Sequence, residues 1–352
     1  MGRSGGEAGV PAAAARMAAH LRVRESTGLS FAASGGWPHV FSFLEQTERT
    51  DVASLVCLAF LDAANAQPRS ARFDLRPDRT SFDKIQAAHV RFSALHDVVV
   101  SVNDCGGGTV RGLQQLLPEL SSFASITSLN LRRQGLVSFP DALCALTGLK
   151  TLDLYWNKIV AFPNAIGDLS ALTILKCGSN QLTALPDRLG ALTALTELVA
   201  YDNKLTTLPD SIAALSQIKM LYLSSNKFAT LPKPIVKLAS LTSLDLRFNQ
   251  LVTLPRSISA LTVLKILNLS SNQLVTLPDS IAALTALTEL HLHDDKIVRL
   301  PDSIAALTAL KYLHLYNNPL AQPQSIAVEA WLAALDAGGS CEVKMIEPDY
   351  EW

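Results

Sequence analysis

The chain has 352 residues, of which 49% are hydrophobic and 17% charged, and its formal net charge is −1. These apolar side chains suffice for a large core, and the balanced charge argues against nucleic acid as a partner, since phosphate binding requires a basic surface. The five cysteines show no paired spacing, which predicts a reducing, cytoplasmic setting, and no apolar run approaches the roughly 20 residues of a membrane-spanning helix.

The first segment, residues 1–30, is rich in alanine, glycine and arginine. Its alanine block is too weakly hydrophobic for a secretory signal. The arginines are compatible with an organelle-targeting peptide, whereas Glu7 and Glu25 count against one. We expect a disordered tail, because a segment with so few large apolar side chains does not form a packed core.

Residues 37–66 predict two short helices. Trp37 and Pro38 precede an apolar stretch that ends near Glu45, and Thr50 is placed to cap the second helix. The apolar residues of the second helix recur with the spacing of an amphipathic stripe. They are Val52, Leu55, Val56, Ala59 and Phe60.

The sequence from Pro38 to Phe60 is similar to the F-box, a proline-led helix followed by a second helix with a Leu-Val-Cys-like core. The resemblance implies that this F-box-like segment docks on the adaptor of a cullin-type ubiquitin ligase. The adaptor-docking residues that it implies are Pro38, Val40, Leu44, Leu55, Val56 and Phe60. Alternatively, the two helices only cap the following solenoid, since repeat arrays need covered ends.

Residues 70–125 predict degenerate copies of a repeat. Residues 72–75 and 98–103 have the apolar patterning of strands. Leu95, Val98, Val100 and Asn103 keep the spacing L-x-x-L-x-L-x-x-N, which becomes regular further along the chain. The solenoid is therefore expected to begin near residue 70.

Residues 126–322 contain nine copies of the pattern L-x-x-L-x-L-x-x-N-x-L-x-x-L-P-x-x-I-x-x-L, each 23 residues after the last. Self-similarity at this period predicts a solenoid, which offers a long surface for a partner. The copies start at Ile126, Leu149, Leu172, Leu195, Ile218, Leu241, Leu264, Leu287 and Leu310.

One copy predicts one strand and one turn. Leu244 and Leu246 alternate with polar residues, the period of a strand with one buried face. Asn249 follows, and its amide can donate and accept hydrogen bonds where the chain leaves the sheet. Pro255 ends the extended stretch, and Ile258 belongs to a short helical turn on the outer side. One repeat cannot bury its own leucines, so the copies must stack.

These copies resemble the leucine-rich repeat family, and their L-P-x-x-I-x-x-L segments resemble its intracellular class related to Ras-binding scaffolds. The resemblance implies an α/β solenoid with a curved parallel sheet and short helical segments on the convex side. Gln134 and Asp295 stand where the pattern has asparagine, and Cys177 and Ala200 replace strand leucines.

Residues 323–352 predict a C-terminal capping helix and a tail. The helix is expected over residues 325–335, where it would cover the open end of the last repeat. The apolar residues available for this contact are Ile326, Val328, Trp331, Leu332 and Leu335.

The candidate binding surface is the concave face, made of the positions two, four, six and seven residues after each repeat start. Seven of the chain's 22 aromatic residues fall at these positions, and aromatic and arginine side chains are frequent at interface hot spots. Asp245 is expected to be solvated on this face, so that its replacement should cost little stability. The predicted partner-binding residues are Arg132, Arg133, Tyr155, Trp156, Tyr201, Tyr222, Arg247, Phe248, His291, His293, His314 and Tyr316.

The three histidines of this set are predicted to lie close together, because His291 and His293 share one face and His314 is the neighbour of His291 one repeat later. With Glu289 or Asp294 they have the ligand types of a zinc site. Histidines on a polar sheet are more often solvated, so we expect no metal and no cofactor, and a pH-sensitive contact is a further alternative.

The predicted function is an intracellular protein–protein interaction module and not an enzyme. The sequence contains no H-E-x-x-H or phosphate-binding G-x-x-x-x-G-K-[ST] motif, and no catalytic residue is predicted. In the sharper form the solenoid is the substrate receptor of a cullin-type ubiquitin ligase. The alternative is a signalling scaffold whose N-terminal helices act only as a cap.

Overall fold

The computed structural model of the chain describes residues 70–75, 97–102, 126–337 and 342–344, the first two segments by their backbone alone. All described residues belong to one compact unit. The predicted tail (1–30) and the F-box-like segment (37–66), with all six predicted adaptor-docking residues, lie outside the described residues. No helix among the described residues is long and apolar enough to cross a membrane.

The described strands form one parallel sheet in chain order, as the resemblance implied. Two of them fall in the degenerate region, close to the stretches in which strands were predicted. The strands are β1 (Ser70–Leu75), β2 (Asp97–Val102), β3 (Ile126–Asn130), β4 (Thr151–Asp153), β5 (Ile174–Lys176), β6 (Glu197–Val199), β7 (Met220–Tyr222), β8 (Ser243–Asp245), β9 (Ile266–Asn268), β10 (Glu289–His291), β11 (Tyr312–His314) and β12 (Glu342–Lys344).

The register of the sheet stacks equivalent residues of successive repeats. Leu152 of β4 pairs with Leu175 of β5, and Leu244 of β8 pairs with Leu267 of β9. All four side chains have no exposed surface. The alternation of leucine and polar residues therefore puts one continuous leucine core on the inner side of the sheet.

The outer side of each of the first eight repeats turns through a short 3-10 helix, at the place where the sequence pattern predicted a helical turn. A proline precedes each of the eight helices, and its carbonyl accepts the first hydrogen bond, as from Ile258 N to Pro255 O at 3.1 Å. Ile258 is fully buried and anchors the turn on the core. The helices are Asp141–Ala145, Asn164–Asp168, Asp187–Ala191, Asp210–Ala214, Lys233–Lys237, Arg256–Ala260, Asp279–Ala283 and Asp302–Ala306.

Buried asparagines tie each repeat to its neighbours. Asn226 donates from Nδ2 to Leu223 O in its own repeat and to Ala200 O in the preceding one, both at 3.0 Å. Its Oδ1 accepts from Leu205 N at 3.0 Å. One side chain thus satisfies three backbone groups that the turn leaves without a partner, which stabilises the turn because buried polar groups are costly when unpaired.

Asp295, which replaces an asparagine in this ladder, satisfies fewer groups. Its Oδ1 accepts from Leu274 N at 2.9 Å, but its Oδ2 is buried without a hydrogen-bond partner. A carboxylate cannot donate as the asparagine amide does. Burial raises the pKa of Asp295 to about 7 despite that backbone bond. The substitution therefore leaves a buried oxygen atom without a hydrogen-bond partner inside the array.

The C-terminal cap consists of the helix α1 (Ile326–Ala337) and the additional strand β12, which sequence analysis did not predict. Val328, Trp331 and Leu335 are buried against the last repeat, as predicted, and Trp331 Nε1 donates to Leu307 O at 3.4 Å. Ile326, predicted to share this contact, is 91% exposed. It lies at the first turn of the helix, where its side chain falls outside the covered end.

Candidate functional site

The concave face has a conformation that the sequence did not reveal. The residue seven positions after each repeat start adopts a left-handed backbone in all nine repeats, with φ between 51° and 58°. Large side chains rarely take this conformation, which costs roughly 1–2 kcal/mol outside glycine, asparagine and aspartate. The nine residues are Arg133, Trp156, Ser179, Asp202, Ser225, Phe248, Ser271, Asp294 and Asn317.

The strain is largest where the residue is large. Trp156 and Phe248 adopt this backbone and remain 40% and 58% exposed, so no burial compensates for it. The only signal in the sequence was the presence of asparagine or aspartate at three of the nine positions, which is too weak to predict the conformation.

The first part of the concave face is a stack of arginine and aromatic side chains. The guanidinium carbons of Arg132 and Arg133 lie 4.1 Å and 4.0 Å from the centre of the Trp156 ring, and Arg132 also lies 5.4 Å from the Tyr155 ring centre. Among the ion pairs of residues 126–337, none involves either arginine. The stack therefore presents positive charge on a rigid aromatic support.

A tyrosine pair follows. Tyr155 and Tyr201 lie two repeats apart, and their ring centres are 5.4 Å from each other. Gly178 of the intervening repeat makes this contact possible, because a Cβ atom there would lie 2.7 Å from Tyr155 Cε1 and 2.9 Å from Tyr201 Cε1. Burial raises the pKa of Tyr155 well above its ordinary value, so its hydroxyl stays protonated. Sequence analysis found both tyrosines but not the glycine.

The middle of the concave face carries aromatic rings that do not contact one another. Among the ring contacts of the described residues none involves Tyr222 or Phe248. Tyr222 instead lies with its hydroxyl 3.5 Å from Met220 Sδ. These side chains therefore stand separately, open to a partner.

The expectation that Asp245 is solvated was wrong. The residue is only 9% exposed, its Oδ1 accepts from Arg247 N at 3.1 Å and its Oδ2 lies 3.2 Å from Arg247 Nε. Burial raises the pKa of Asp245, while the bonds from Arg247 act in the opposite direction. The carboxylate thus holds the backbone and the side chain of Arg247 in place.

The last part of the concave face gathers the three histidines, as predicted. His291 Nδ1 lies 3.0 Å from His314 Nδ1, and the His293 ring stacks on Tyr316 with centres 4.4 Å apart. Carboxylates flank the group: Glu289 Oε2 lies 3.7 Å from His291 Nε2, and Asp294 Oδ2 lies 3.9 Å from His293 Nε2. Desolvation lowers the pKa of His291 and of His293, in each case against the effect of the neighbouring carboxylate.

The described cysteines have no features of nucleophiles. Cys177 is fully buried, and burial raises the pKa of its thiol to about 12. Burial, assisted by Asp141 and Asp168, raises the pKa of Cys144 to about 11. Reactive cysteines have lowered pKa values, so both thiols are inert at neutral pH.

Apolar side chains are also exposed outside the concave face. Five of them are valines that follow the asparagine ladder by three positions, in the turn toward the 3-10 helix, and each is more than 40% exposed. The valines are Val137, Val160, Val252, Val275 and Val298. They form a second candidate surface with which the concave face can be compared.

Comparisons with known proteins agree with the fold. The family described as Leucine rich repeat matches residues 170–228, 239–297 and 262–320. A Listeria monocytogenes internalin (InlF) is similar in structure with a TM-score of 0.60 and 19% identity, over 89% of this chain and 96% of that chain. A comparison with curated proteins finds no match.

Two plant receptor ectodomains from Arabidopsis are also similar in structure. The receptor kinase GASSHO1/SCHENGEN3, in complex with CASPARIAN STRIP INTEGRITY FACTOR 2, has a TM-score of 0.59 and 24% identity over 75% of this chain and 32% of that chain. HAESA, in complex with an N-terminally extended IDA peptide hormone, has a TM-score of 0.55 and 26% identity over 67% of this chain and 40% of that chain.

Proposed function

This chain carries a leucine-rich repeat solenoid, and we propose that its concave face binds an extended segment of a partner protein. One observation carries the proposal: within residues 126–337, every aromatic side chain that is not buried stands on the concave face. Aromatic side chains contribute large contact areas at interfaces. They are Tyr155, Trp156, Tyr201, Tyr222, Phe248, Tyr312 and Tyr316.

Backbone strain supports the same conclusion. Trp156 and Phe248 stay 40% and 58% exposed in a left-handed conformation that aromatic residues do not favour, although two arginines stack on Trp156. Strain of this kind concentrates at functional positions. A partner that covers these rings would supply the burial that the free chain lacks.

The chemistry of the partner follows from the charges of the face. Arg132 and Arg133 hold their guanidinium groups on Trp156 without a carboxylate partner among the described residues. Arginine binds carboxylates well because its planar donors match them. We therefore expect an acidic side chain or a terminal carboxylate of the partner at this end, and apolar side chains against Phe248.

The comparison with HAESA gives independent support for a peptide-like ligand. That receptor ectodomain was solved with a peptide hormone and is 26% identical to this chain over the aligned part. The raised thiol pKa values of Cys144 and Cys177, and a sequence without H-E-x-x-H or phosphate-binding glycine motifs, support a binding module without enzymatic activity. The scattered, unpaired cysteine spacing supports a cytoplasmic location.

The partner face is tested with the full-length chain as bait in cell extract. A photo-crosslinking residue at position 248 is expected to capture a discrete partner, whereas the same residue at position 280, on the convex side, is not. Tyr201→Ala and Phe248→Ala should each weaken binding of that partner by more than about 1 kcal/mol. Val275→Ala is the matched control, since it removes an equally exposed apolar side chain elsewhere. Capture from position 280 and sensitivity to Val275 alone would assign the partner to the other surface.

We further propose that the F-box-like segment couples the captured protein to a cullin-type ubiquitin ligase, the solenoid acting as substrate receptor. Support comes from the sequence: residues 38–60 match the motif and are followed by the solenoid. The competing proposal is a signalling scaffold of the intracellular class related to Ras-binding proteins, in which residues 37–66 only cap the array.

Point variants of the full chain separate these two proposals. Under the ligase proposal, Leu44→Asp and Val56→Asp abolish co-purification of a ligase adaptor and leave the concave partner bound, whereas Phe248→Ala does the reverse. Under the cap proposal no adaptor is retained by the intact chain, and the two aspartate variants lower the melting temperature of the solenoid instead. Adaptor binding that survives both aspartate variants contradicts docking through this segment.

A further inference from the structure

The last two repeats bring three imidazole rings into a compact group on the concave face. His291, His293 and His314 each offer one ring nitrogen, and the three nitrogens lie within 4.8 Å of one another. The closest pair, His291 Nδ1 and His314 Nδ1, is separated by 3.0 Å. His291 and His314 end the hydrogen-bonded strands β10 and β11 as register partners, and His293 follows β10 by two residues.

We propose that His291, His293 and His314 form a binding site for a divalent transition-metal ion, of which Zn²⁺ fits best, with a fourth position open to water. Three histidines with one open position are an established ligand set for tetrahedral zinc. This site goes beyond the protein-binding role of the concave face and does not depend on it. It also replaces the expectation, drawn from sequence, that the histidines are merely solvated.

The separation of the nitrogens suits such an ion. Two ligands of a tetrahedral site with Zn–N bonds of about 2.0–2.1 Å lie about 3.3 Å apart. The 3.0 Å between His291 Nδ1 and His314 Nδ1 needs to lengthen by only a few tenths of an ångström. To complete the site, the His293 ring must move closer to the other two, because the separations among the three nitrogens extend to 4.8 Å. The His293 side chain is partly exposed, at 18% of its surface, beside the solvent-accessible Asp294.

The outer nitrogens have the partners that metal-binding histidines use. Glu289 Oε2 lies 3.7 Å from His291 Nε2, on the side of the ring opposite to Nδ1. Asp294 Oδ2 is similarly placed 3.9 Å from His293 Nε2. A carboxylate behind the ring fixes its orientation and increases its basicity toward the metal. The two carboxylates also supply negative charge next to the cation.

One nitrogen lacks a partner in the metal-free chain. His293 Nδ1 is buried and makes no hydrogen bond, while Nε2 of the same ring faces Asp294. A buried polar atom without a partner is uncommon and calls for an explanation. Coordination of a metal ion provides this explanation, because the lone pair of His293 Nδ1 would then bind the ion.

The rings are accessible and in the correct protonation state. The side chains of His291 and His293 retain 17% and 18% of their surface, so an ion can reach them from solvent. Desolvation lowers the pKa of both, which keeps them neutral near pH 7, and neutral imidazole is the form that binds metal. Arg247 acts against a cation here, but Asp245 pairs with it at 3.2 Å and offsets its charge.

Metal binding requires a rearrangement of protons. In the metal-free pair, one Nδ1 carries the proton that it shares with the other Nδ1. The ion takes the lone pairs of both atoms, so this proton moves through solvent to Nε2 of the same ring. For His291 that nitrogen faces Glu289 Oε2, 3.7 Å away. Neither ring changes its net charge.

The test uses the untagged full-length chain, freed of metal with a chelator and titrated with Co²⁺ and Zn²⁺. We expect one equivalent of Co²⁺ to give the intense visible bands of a tetrahedral complex, and Zn²⁺ to displace it and raise the melting temperature. X-ray absorption of the zinc form should show three nitrogen ligands and one oxygen.

Variants assign the binding to these three residues. His293→Gln and His314→Gln should each abolish the tetrahedral spectrum, while Glu289→Gln should weaken Zn²⁺ binding by about tenfold, as expected for a residue behind a ligand. The combined substitution of His20, His39, His89 and His96 by Gln is the matched control and should leave binding unchanged. Circular dichroism of each metal-free variant establishes that the solenoid is folded.

Two results would overturn the proposal. The first is the absence of saturable Co²⁺ binding to the folded intact chain. The second is an equivalent of metal that remains after both His293→Gln and His314→Gln, or that is lost in the control variant, which would make the observed metal an adventitious ion only.

Discussion

Tyr155 and Tyr201 belong to repeats that are not adjacent, yet their rings meet with centres 5.4 Å apart, across the backbone of Gly178. The contact spans three strands of the sheet and shows that the concave face is organised over more than one repeat. A side chain at the central position would separate the rings, so the glycine acts on the surface of the sheet without taking part in its core.

Gly178→Ala should therefore change the concave face and leave the solenoid folded. The added methyl group meets the edges of two mobile rings, and the rings can turn away from it. We expect the near-ultraviolet circular dichroism of the tyrosines to change and partner binding to weaken, with a loss of stability below about 1 kcal/mol. The control is Ser270→Ala, which changes the equivalent position of the repeat that lies four repeats further along the chain. An unchanged tyrosine signal would show that the rings already tolerate a side chain between them.

Leu246→Ala and Leu269→Ala should each destabilise the solenoid by about 2–5 kcal/mol, because both side chains are completely buried and their loss leaves a cavity. Val275→Ala, at a position that is 45% exposed, should cost less than about 0.5 kcal/mol. Denaturant unfolding measures all three. Equal losses for Val275 and Leu246 would contradict the division between core and surface.

Phe248→Asn should stabilise the chain and impair its function. Asparagine adopts the left-handed backbone more readily than phenylalanine, so the free energy of unfolding should rise by about 1 kcal/mol. Partner binding should fall, because the exposed ring is lost. Tyr222→Asn, at a concave position without a left-handed backbone, should impair binding without any gain in stability. A drop in melting temperature for Phe248→Asn would mean that the ring makes stabilising contacts in the free chain.

Asp295→Asn should stabilise the solenoid increasingly as the pH rises. The folded-state pKa of Asp295 is about 7, above the ordinary value of 3.8, so the folded chain holds a proton that the unfolded chain releases between these values. The contribution of Asp295 to the unfolding free energy is thus most favourable below about pH 4, and it falls as the pH rises through 7. Asparagine removes this dependence.

Unfolding at several pH values between 4 and 8 tests the effect of Asp295→Asn. The difference in unfolding free energy between variant and native chain should be small at pH 4 and reach about 1–3 kcal/mol at pH 8, the usual cost of an unsatisfied buried polar group. Asn249→Asp should introduce the same dependence into the middle of the array. A difference that does not vary with pH would show that Asp295 is ionised at all these values.

The solenoid was predictable because its signal is repeated nine times. Leucines at fixed spacing determine the strand face, and the proline before Ile258 marks the turn, so both the sheet and the outer helical segments follow from the pattern. The strand β12 was not predictable, since its three residues have no pattern of their own and depend on β11 for pairing. The exposure of Ile326 likewise depends on where α1 meets the last repeat.

The candidate site was predictable as a set of residues but not as a geometry. Counting positions from each repeat start was enough to find the arginines, tyrosines and histidines. It could not reveal the left-handed backbone at Trp156 and Phe248, which arises from the turn, nor the role of Gly178, which is defined by the size of its neighbours. Asp245 was misjudged because a concave position was equated with solvent exposure, whereas Arg247 covers it.

The asparagine ladder makes the length of the array adjustable. Each ladder asparagine bonds only to its own repeat and the one before it, as Asn226 does with Leu223, Ala200 and Leu205. Cutting out or duplicating an interior block of 23 residues leaves such bonds intact, because equivalent groups face each other again across the junction. Duplication of one block would therefore lengthen the span available to a ligand by about 4.8 Å, one strand spacing at a time.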